Sequence, residues 1–269
     1  MREHVQTADM QIWVEQAGQG AEVLLIGGLG DTVESWQFQL DGLADSFRLT
    51  AFDNRGAGRT ARGKGAVSVE MLADDAAAVL AAYGISSAHV AGFSGGSIIA
   101  QELAIRHPGL VRSLVLQSTW TVMDEYLRSW ATFMKWLIDA APGEREFLKG
   151  HFLFTYTPRS YNDGTVDRII DEALVFPHKQ STEDIRAFID AFIEHDTTDR
   201  LPQVKVPTLV LAGGNDLLSR PALCRAVADA IPRALFEVFE GEAHQPFQEI
   251  PERWNERVTA FWRSVEQGT

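Results

Sequence analysis

Short apolar runs alternate with amphipathic segments along most of the chain. Residues 23–26 (VLLI), 49–52, 89–92, 114–116, 208–212 and 235–239 read as strands, most lacking the period-two polar alternation of a half-exposed strand. Between them lie helical patterns. Met71, Leu72, Ala76, Val79 and Leu80 share one face of a helix over 69–83, which Gly84 ends. A helix over 97–105 stops at His107-Pro108, and a last helix over 252–265 closes the chain. Buried strands separated by helices predict an α/β fold with a mostly parallel, doubly wound sheet. Residues 5–7 and 12–15 predict an antiparallel hairpin at its edge.

One stretch breaks this rhythm. From Thr121 to about Arg200 no strand pattern occurs, and about half of the Phe, Trp and Tyr residues fall between Trp120 and Arg200. Strand pattern resumes after Pro207, so this reads as a helical cap inserted into the core. The expected division is a core of 1–120 and 201–269 with a cap of 121–200. The cap aromatics fit either a small local core or an apolar lid over a pocket. Phe93, Trp120, Trp130, Phe133 and Phe154 are the pocket candidates.

The chemistry begins at Gly92-Phe93-Ser94-Gly95-Gly96, a G-x-S-x-G pattern between a strand and a helix. A nucleophile on so tight a turn needs small neighbours, which Gly92 and Gly96 supply. The helix N-terminus beside Ser94 favours a developing anion. Serine needs a base. Of seven histidines, His244 alone sits in a loop after the last strand run, at the sheet edge where Ser94 emerges. The base needs an acid to fix its tautomer. Asp216 follows the strand 208–212 on the same edge, whereas after 114–116 no carboxylate occurs until Asp124. An Asx-turn is the structural alternative for Asp216.

Gly27-Gly28-Leu29-Gly30 follows the first core strand. It lacks the third glycine or the lysine of a phosphate loop, and Asp31 would repel a phosphate. It fits instead a loop lending the Leu29 backbone N–H to an oxyanion, paired with that of Gly95.

The order Ser94, Asp216, His244 resembles the α/β-hydrolase fold superfamily, in its branch with a helical cap. The resemblance spans nearly the whole chain. Phe52-Asp53-Asn54-Arg55-Gly56-Ala57-Gly58-Arg59 is similar to the family's D-x-R-G-x-G-x-S segment, with Thr60 in place of serine. Gly241–His244 followed by Pro251-Glu252-Arg253 is similar to its G-x-x-H…P-E ending. The resemblance implies loop-organising roles for Asp53 and Arg55. It also has departures. Gly27 stands where many relatives carry histidine, which implies a looser or wider oxyanion loop. Gly95 replaces a larger residue, which implies a more open pocket beside Ser94.

The expected activity is serine hydrolysis of a carboxylic ester or lactone of a small, largely apolar molecule. The alternatives are a C–C bond hydrolase or enol-lactonase on a carboxylate-bearing substrate, using one of Arg128, Arg145, Arg159, Arg168 or Arg186, and a non-catalytic small-molecule receptor. Ser rather than Asp at position 94 argues against dehalogenase or epoxide hydrolase chemistry. No cofactor is implied, and no metal-binding spacing occurs.

The 24 Lys+Arg against 37 Asp+Glu give a net charge of −13, which repels nucleic acid and acidic membrane surfaces. The single cysteine, Cys224, forms no internal disulfide. The start MREHVQTADM lacks the apolar run of a signal peptide, and no stretch reaches a membrane-spanning length. A cytoplasmic location is the expectation.

Overall fold

The computed structural model describes residues 1–268. Eight strands form one sheet: β1 (Arg2–Gln6), β2 (Gln11–Gly18), β3 (Ala21–Ile26), β4 (Phe47–Phe52), β5 (Ala88–Phe93), β6 (Val111–Gln117), β7 (Thr208–Gly213) and β8 (Leu235–Phe239). Their order is β1-β2-β4-β3-β5-β6-β7-β8. The β1/β2 hairpin is antiparallel and β2 runs antiparallel to β4, while every pairing from β4 to β8 is parallel.

The unbroken apolar runs have a direct cause. In β3, Leu24 and Ile26 point into one core and Val23 and Leu25 into another. The first core holds α2 (Val69–Ala82), α3 (Gly95–Arg106) and, after β7, α9 (Pro221–Ala230), through Leu72, Val79, Ile98 and Val227. The second holds α1 (Gln37–Leu43) and the C-terminal α11 (Pro251–Gln267), through Leu40, Trp254, Val258 and Trp262. A short α10 (Pro246–Glu249) precedes α11. With both faces covered, neither side of a central strand such as β3 faces water, so alternation vanishes there.

Between β6 and β7 lie α4 (Glu125–Ala140), α5 (Glu144–Phe152), α6 (Pro158–Asn162), α7 (Thr165–Val175) and α8 (Thr182–Glu194), with no strand among the described residues. The two ends of this segment are clasped together. Val122 bridges Asp196, and Thr197 N–H donates to the Thr121 carbonyl at 3.1 Å. Among the described residues no helix is long and apolar enough to cross a membrane.

His195, at the end of α8, is 3% exposed, and neither ring nitrogen has a hydrogen-bond partner among the described residues. Burial pushes its pKa down to about 4. The unfolded chain takes up this proton near pH 6.5 and the folded chain only near 4. The contribution of His195 to stability is therefore complete above the upper value and is lost as pH falls through the window, about 3 kcal/mol by its lower end. In urea titrations across this range, His195→Phe is expected to flatten the slope by that amount. An unchanged slope would assign the acid sensitivity elsewhere. Asp53 and Asp75, whose carboxyl pKa values burial raises, act in the opposite direction in both proteins and cancel from the comparison.

Candidate active site

Ser94 occupies the single-residue turn from β5 into α3, with φ 52° and ψ −120°. This conformation is costly for a residue with a Cβ, and the surroundings hold it in place. Ser94 N–H donates to the Gln117 carbonyl at 2.9 Å, and its carbonyl accepts from Ser97 Oγ at 2.5 Å. The crossing is tight enough to require its glycines. A Cβ on Gly92 would lie 2.3 Å from the Gly96 carbonyl oxygen, and one on Gly96 would lie 2.0 Å from that of Ile26. Both obstacles are backbone. Gly96→Ala is expected to destabilise the fold by about 3 kcal/mol through forced backbone movement. Gly109→Ala serves as the control, because nothing lies within 4 Å of its added Cβ. Equal melting temperatures for the two variants would show that the crossing is not tight.

The loops after β7 and β8 bring the other two predicted residues to this point. Gly214 N–H donates to Phe239 O at 3.0 Å, and Asn215 N–H donates to Glu242 O at 2.8 Å. A Cβ on Gly213 would sit 1.8 Å from Ala243 O, so the loops touch through backbone. His244 Nδ1 lies 2.7 Å from Asp216 Oδ2, and its Nε2 lies 2.9 Å from Ser94 Oγ. With the neutral imidazole protonated on Nδ1, that nitrogen donates to the carboxylate and Nε2 accepts from the serine hydroxyl.

Both His244 and Asp216 are 3% exposed. Asp216 also fulfils the Asx-turn alternative: its second oxygen accepts from Leu218 N–H at 2.7 Å and Ser219 N–H at 3.1 Å. One carboxylate thus shapes its own loop and holds the imidazole. His244 is gripped at its backbone, donating to Thr155 O at 3.1 Å and accepting from Ser118 Oγ at 2.9 Å. Asp124 is elsewhere, capping α4 through Leu127 N–H and pairing with Arg220.

The Gly27–Gly30 loop packs against this turn. A Cβ on Gly28 would come within 3.1 Å of Ser94 Cβ and 3.2 Å of Gly95 N. Gly95 is the first residue of α3, so its N–H has no intrahelical acceptor. Two inferences from the family departures require correction. The loop is not loose despite Gly27. Asp31 Oδ2 accepts from Gly28 N–H at 2.7 Å, Asp31 Oδ1 accepts from Ser35 Oγ at 2.7 Å, and Asn54 Nδ2 donates to Gly27 O at 3.0 Å. A Cβ on Gly27 would stand 2.7 Å from that of Asp31, so the aspartate occupies the space a side chain there would need. Nor does Gly95 open the pocket, because the Phe192 ring fills the gap, 2.3 Å from where a Cβ would stand.

Asp53 and Arg55 organise the neighbouring loop. Asp53 accepts from Val33 N–H and Arg59 N–H, both at 2.8 Å, and Arg55 forms a buried two-pronged pair with Asp75 at 2.5 and 2.6 Å.

A cavity of about 970 Å³ opens over Ser94, with Leu29 and His244 at its floor and Trp130, Met134, Phe147, Phe152 and Phe176 among its walls. Phe93 and Trp130 line it as predicted, but Trp120, Phe133 and Phe154 do not. Trp120 is buried against Phe192, with ring centres 6.4 Å apart. Phe133 is 37% exposed on another face of α4 and meets Phe154 at 5.6 Å. Trp130, Met134 and Ile138, spaced by four, form the stripe of α4 that faces the cavity. Of the five arginines considered for carboxylate binding, Arg168 lines the cavity. Arg145, Arg159 and Arg186 pair with Asp171, Glu242 and Asp139, and Arg128 donates to Met123 O.

Three lining residues not among the predicted pocket candidates, Asp31, His151 and Tyr156, carry the local electrostatics. Burial raises the Asp31 carboxyl pKa, against its hydrogen bonds from Ser35 and Gly28 and the pull of His244. Burial, helped by His244, pushes His151 down to about 4, and burial lifts Tyr156 well above the ordinary phenol. Among the described residues no three His, Cys, Asp or Glu side chains gather as metal ligands.

Comparison with known proteins agrees with this architecture. The profile of the alpha/beta hydrolase fold matches residues 22–155. A protein of Azorhizobium caulinodans named "Putative carbamate hydrolase RutD" is 32% identical over 259 residues, covering 96% of this chain and 97% of its own. A thermophilic esterase from Thermogutta terrifontis superposes with a TM-score of 0.86 at 25% identity, covering 98% of this chain and 99% of its own. The enol-lactonase from Burkholderia xenovorans LB400 shares the fold at TM-score 0.86 and 23% identity, over 97% of this chain and all of its own. The chain belongs to the α/β-hydrolase family.

Proposed function

We propose that this protein is a serine hydrolase that cleaves a carboxylic ester or lactone of a small, largely apolar molecule through an acyl-enzyme. The observation that carries this reading is the unbroken line from Asp216 through His244 to Ser94, with spans of 2.7 and 2.9 Å. In it, Ser94 Oγ attacks the carbonyl carbon while His244 Nε2 takes its proton. The Asp216 carboxylate stabilises the resulting imidazolium. The Leu29 and Gly95 N–H groups hold the oxyanion, each such donor contributing about 3–4 kcal/mol to the barrier reduction. His244 then returns the proton to the departing alkoxide. Water, deprotonated by the same imidazole, attacks the acyl-serine and regenerates Ser94.

The helices over 121–200 act as a cap that walls the cavity with aromatic rings and limits its water. The names of two relatives, an esterase and a carbamate hydrolase, support acyl transfer to water. The test is turnover. The protein is expected to release p-nitrophenolate from short-chain esters, and to open simple lactones, well above the buffer rate. Binding of such esters with no product formed would overturn the reading in favour of a receptor.

A further inference from the structure

The segment 121–200 contributes polar atoms to the cavity that no protein group satisfies among the described residues. Thr155 is 2% exposed, yet its Oγ1 has no hydrogen-bond partner among the described residues. The same holds for His151 Nδ1 and for both side-chain polar atoms of Gln180. All three residues line the cavity over Ser94. Buried polar groups are nearly always paired, so a cluster of unpaired ones on one cavity calls for a partner from outside the chain. Their position matters as well. The Thr155 carbonyl accepts from the His244 backbone N–H at 3.1 Å, which ties Thr155 to the residue that carries the catalytic imidazole. The His151 ring neighbours two lining aromatics, 6.0 Å from Trp130 and 5.6 Å from Phe152.

The charges lining the cavity narrow the partner further. Lys179 is committed to Glu144 at 2.7 Å, and Glu34 is committed to Arg59 at 2.6 Å. Arg168, on α7, is exposed and donates to Thr165 Oγ1 at 3.0 Å. Asp31, by contrast, interacts electrostatically with His244 at the floor. A substrate carboxylate reaching the floor would thus meet a carboxyl group, while Arg168, the lining cation with no ion pair among the described residues, lies exposed to solvent, where its charge is screened. His151, held near pKa 4 by burial, is an uncharged imidazole at neutral pH, able to give one hydrogen bond and accept another but not to neutralise an anion.

Resting on the hydrolase reading above, we infer that the site selects uncharged esters or lactones carrying a second, neutral hydrogen-bonding group, held by His151 and Thr155. This favours neutral substrates over the carboxylate-bearing class of C–C hydrolases and enol-lactonases.

The test compares three 4-nitrophenyl esters: hexanoate, 5-oxohexanoate and the adipate monoester. A second panel places the groups on the leaving side, as phenyl, 4-acetylphenyl and 4-carboxyphenyl hexanoates. In at least one panel the neutral polar member is expected to show the highest kcat/KM and the carboxylate the lowest. His151→Phe and Thr155→Val are each expected to lower kcat/KM for that preferred substrate about five- to tenfold more than for its apolar counterpart, mainly through KM. Preference for a carboxylate would overturn the inference. So would variants that lower all members equally, as a merely structural role would.

A binding arm separates this inference from the hydrolase reading. The N-phenyl amides of the three acids, and the N-hexanoyl amides of aniline, 4-acetylaniline and 4-aminobenzoate, are titrated against Ser94→Ala by tryptophan fluorescence. If no ester is turned over but a neutral polar amide binds best and loses its advantage in His151→Phe, hydrolysis fails and the inference stands. If esters are turned over while neither panel shows a His151-dependent preference, the inference fails and hydrolysis stands.

Discussion

Replacing Ser94 with alanine is expected to lower kcat/KM for p-nitrophenyl butyrate by at least about 10⁴-fold, with KM changing far less. The variant keeps the cavity, Leu29 and the first turn of α3, so substrate still binds and the oxyanion donors still act. What disappears is the atom that forms the acyl bond. The residual rate reflects water attacking a bound ester, which preserved donors alone can accelerate about 10³–10⁴-fold over solution in related chemistry. Folding is a separable question. Alanine at φ 52° carries the same backbone strain as serine, and the Ser94 N–H and carbonyl bonds to Gln117 and Ser97 involve backbone atoms of residue 94. The melting temperature is therefore expected to move by only a few degrees. Full activity in a folded Ser94→Ala protein would remove the serine from the mechanism.

The second large effect is expected from Asp216→Asn. Asparagine can keep one oxygen on the Leu218 and Ser219 N–H groups, preserving the turn. That choice aims its NH2 at His244 Nδ1, where a carboxylate oxygen now accepts at 2.7 Å. The imidazole then favours the tautomer protonated on Nε2, which cannot accept the Ser94 proton at 2.9 Å. The equivalent aspartate-to-asparagine change in a chymotrypsin-like protease costs about 10⁴ in kcat, and a comparable loss is expected here. Far-ultraviolet circular dichroism and the melting curve should stay close to wild type. An Asp216→Asn protein with more than a tenth of wild-type kcat would show that the carboxylate serves its loop alone.

The sheet was legible because covering both faces removes polar positions from the strands, as Val23–Ile26 illustrates. Strand ends were less so. β6 begins three residues before its apolar run, because Arg112 reaches Glu266 at 2.9 Å and Ser113 bonds the His89 ring at 2.7 Å. Ser94, Asp216 and His244 could be read because each sits in a loop after a strand, and parallel strands deliver such loops to one edge.

The misreadings share a different cause. Gly95 suggested open space, but the occupant is Phe192, nearly a hundred residues away and on another helix. Gly27 suggested slack, but the brace is a side chain folding back from Asp31, a contact with no periodic signature. The pocket aromatics required the rotational phase of α4. Trp130 and Phe133 are near neighbours in sequence yet face different surroundings. His151 was undetectable as a lining residue because a lone histidine in a helix gives no pattern.

The central claim is that turnover passes through Ser94. The most direct measurement is active-site titration with the neutral diester ethyl 4-nitrophenyl ethylphosphonate, following nitrophenolate release, residual esterase activity and the modified peptide together. One nitrophenolate per chain, an adduct on Ser94 and activity falling in proportion to the adduct are the expected results. Esterase activity that survives complete modification of Ser94, or inactivation with the adduct on another residue, would contradict it.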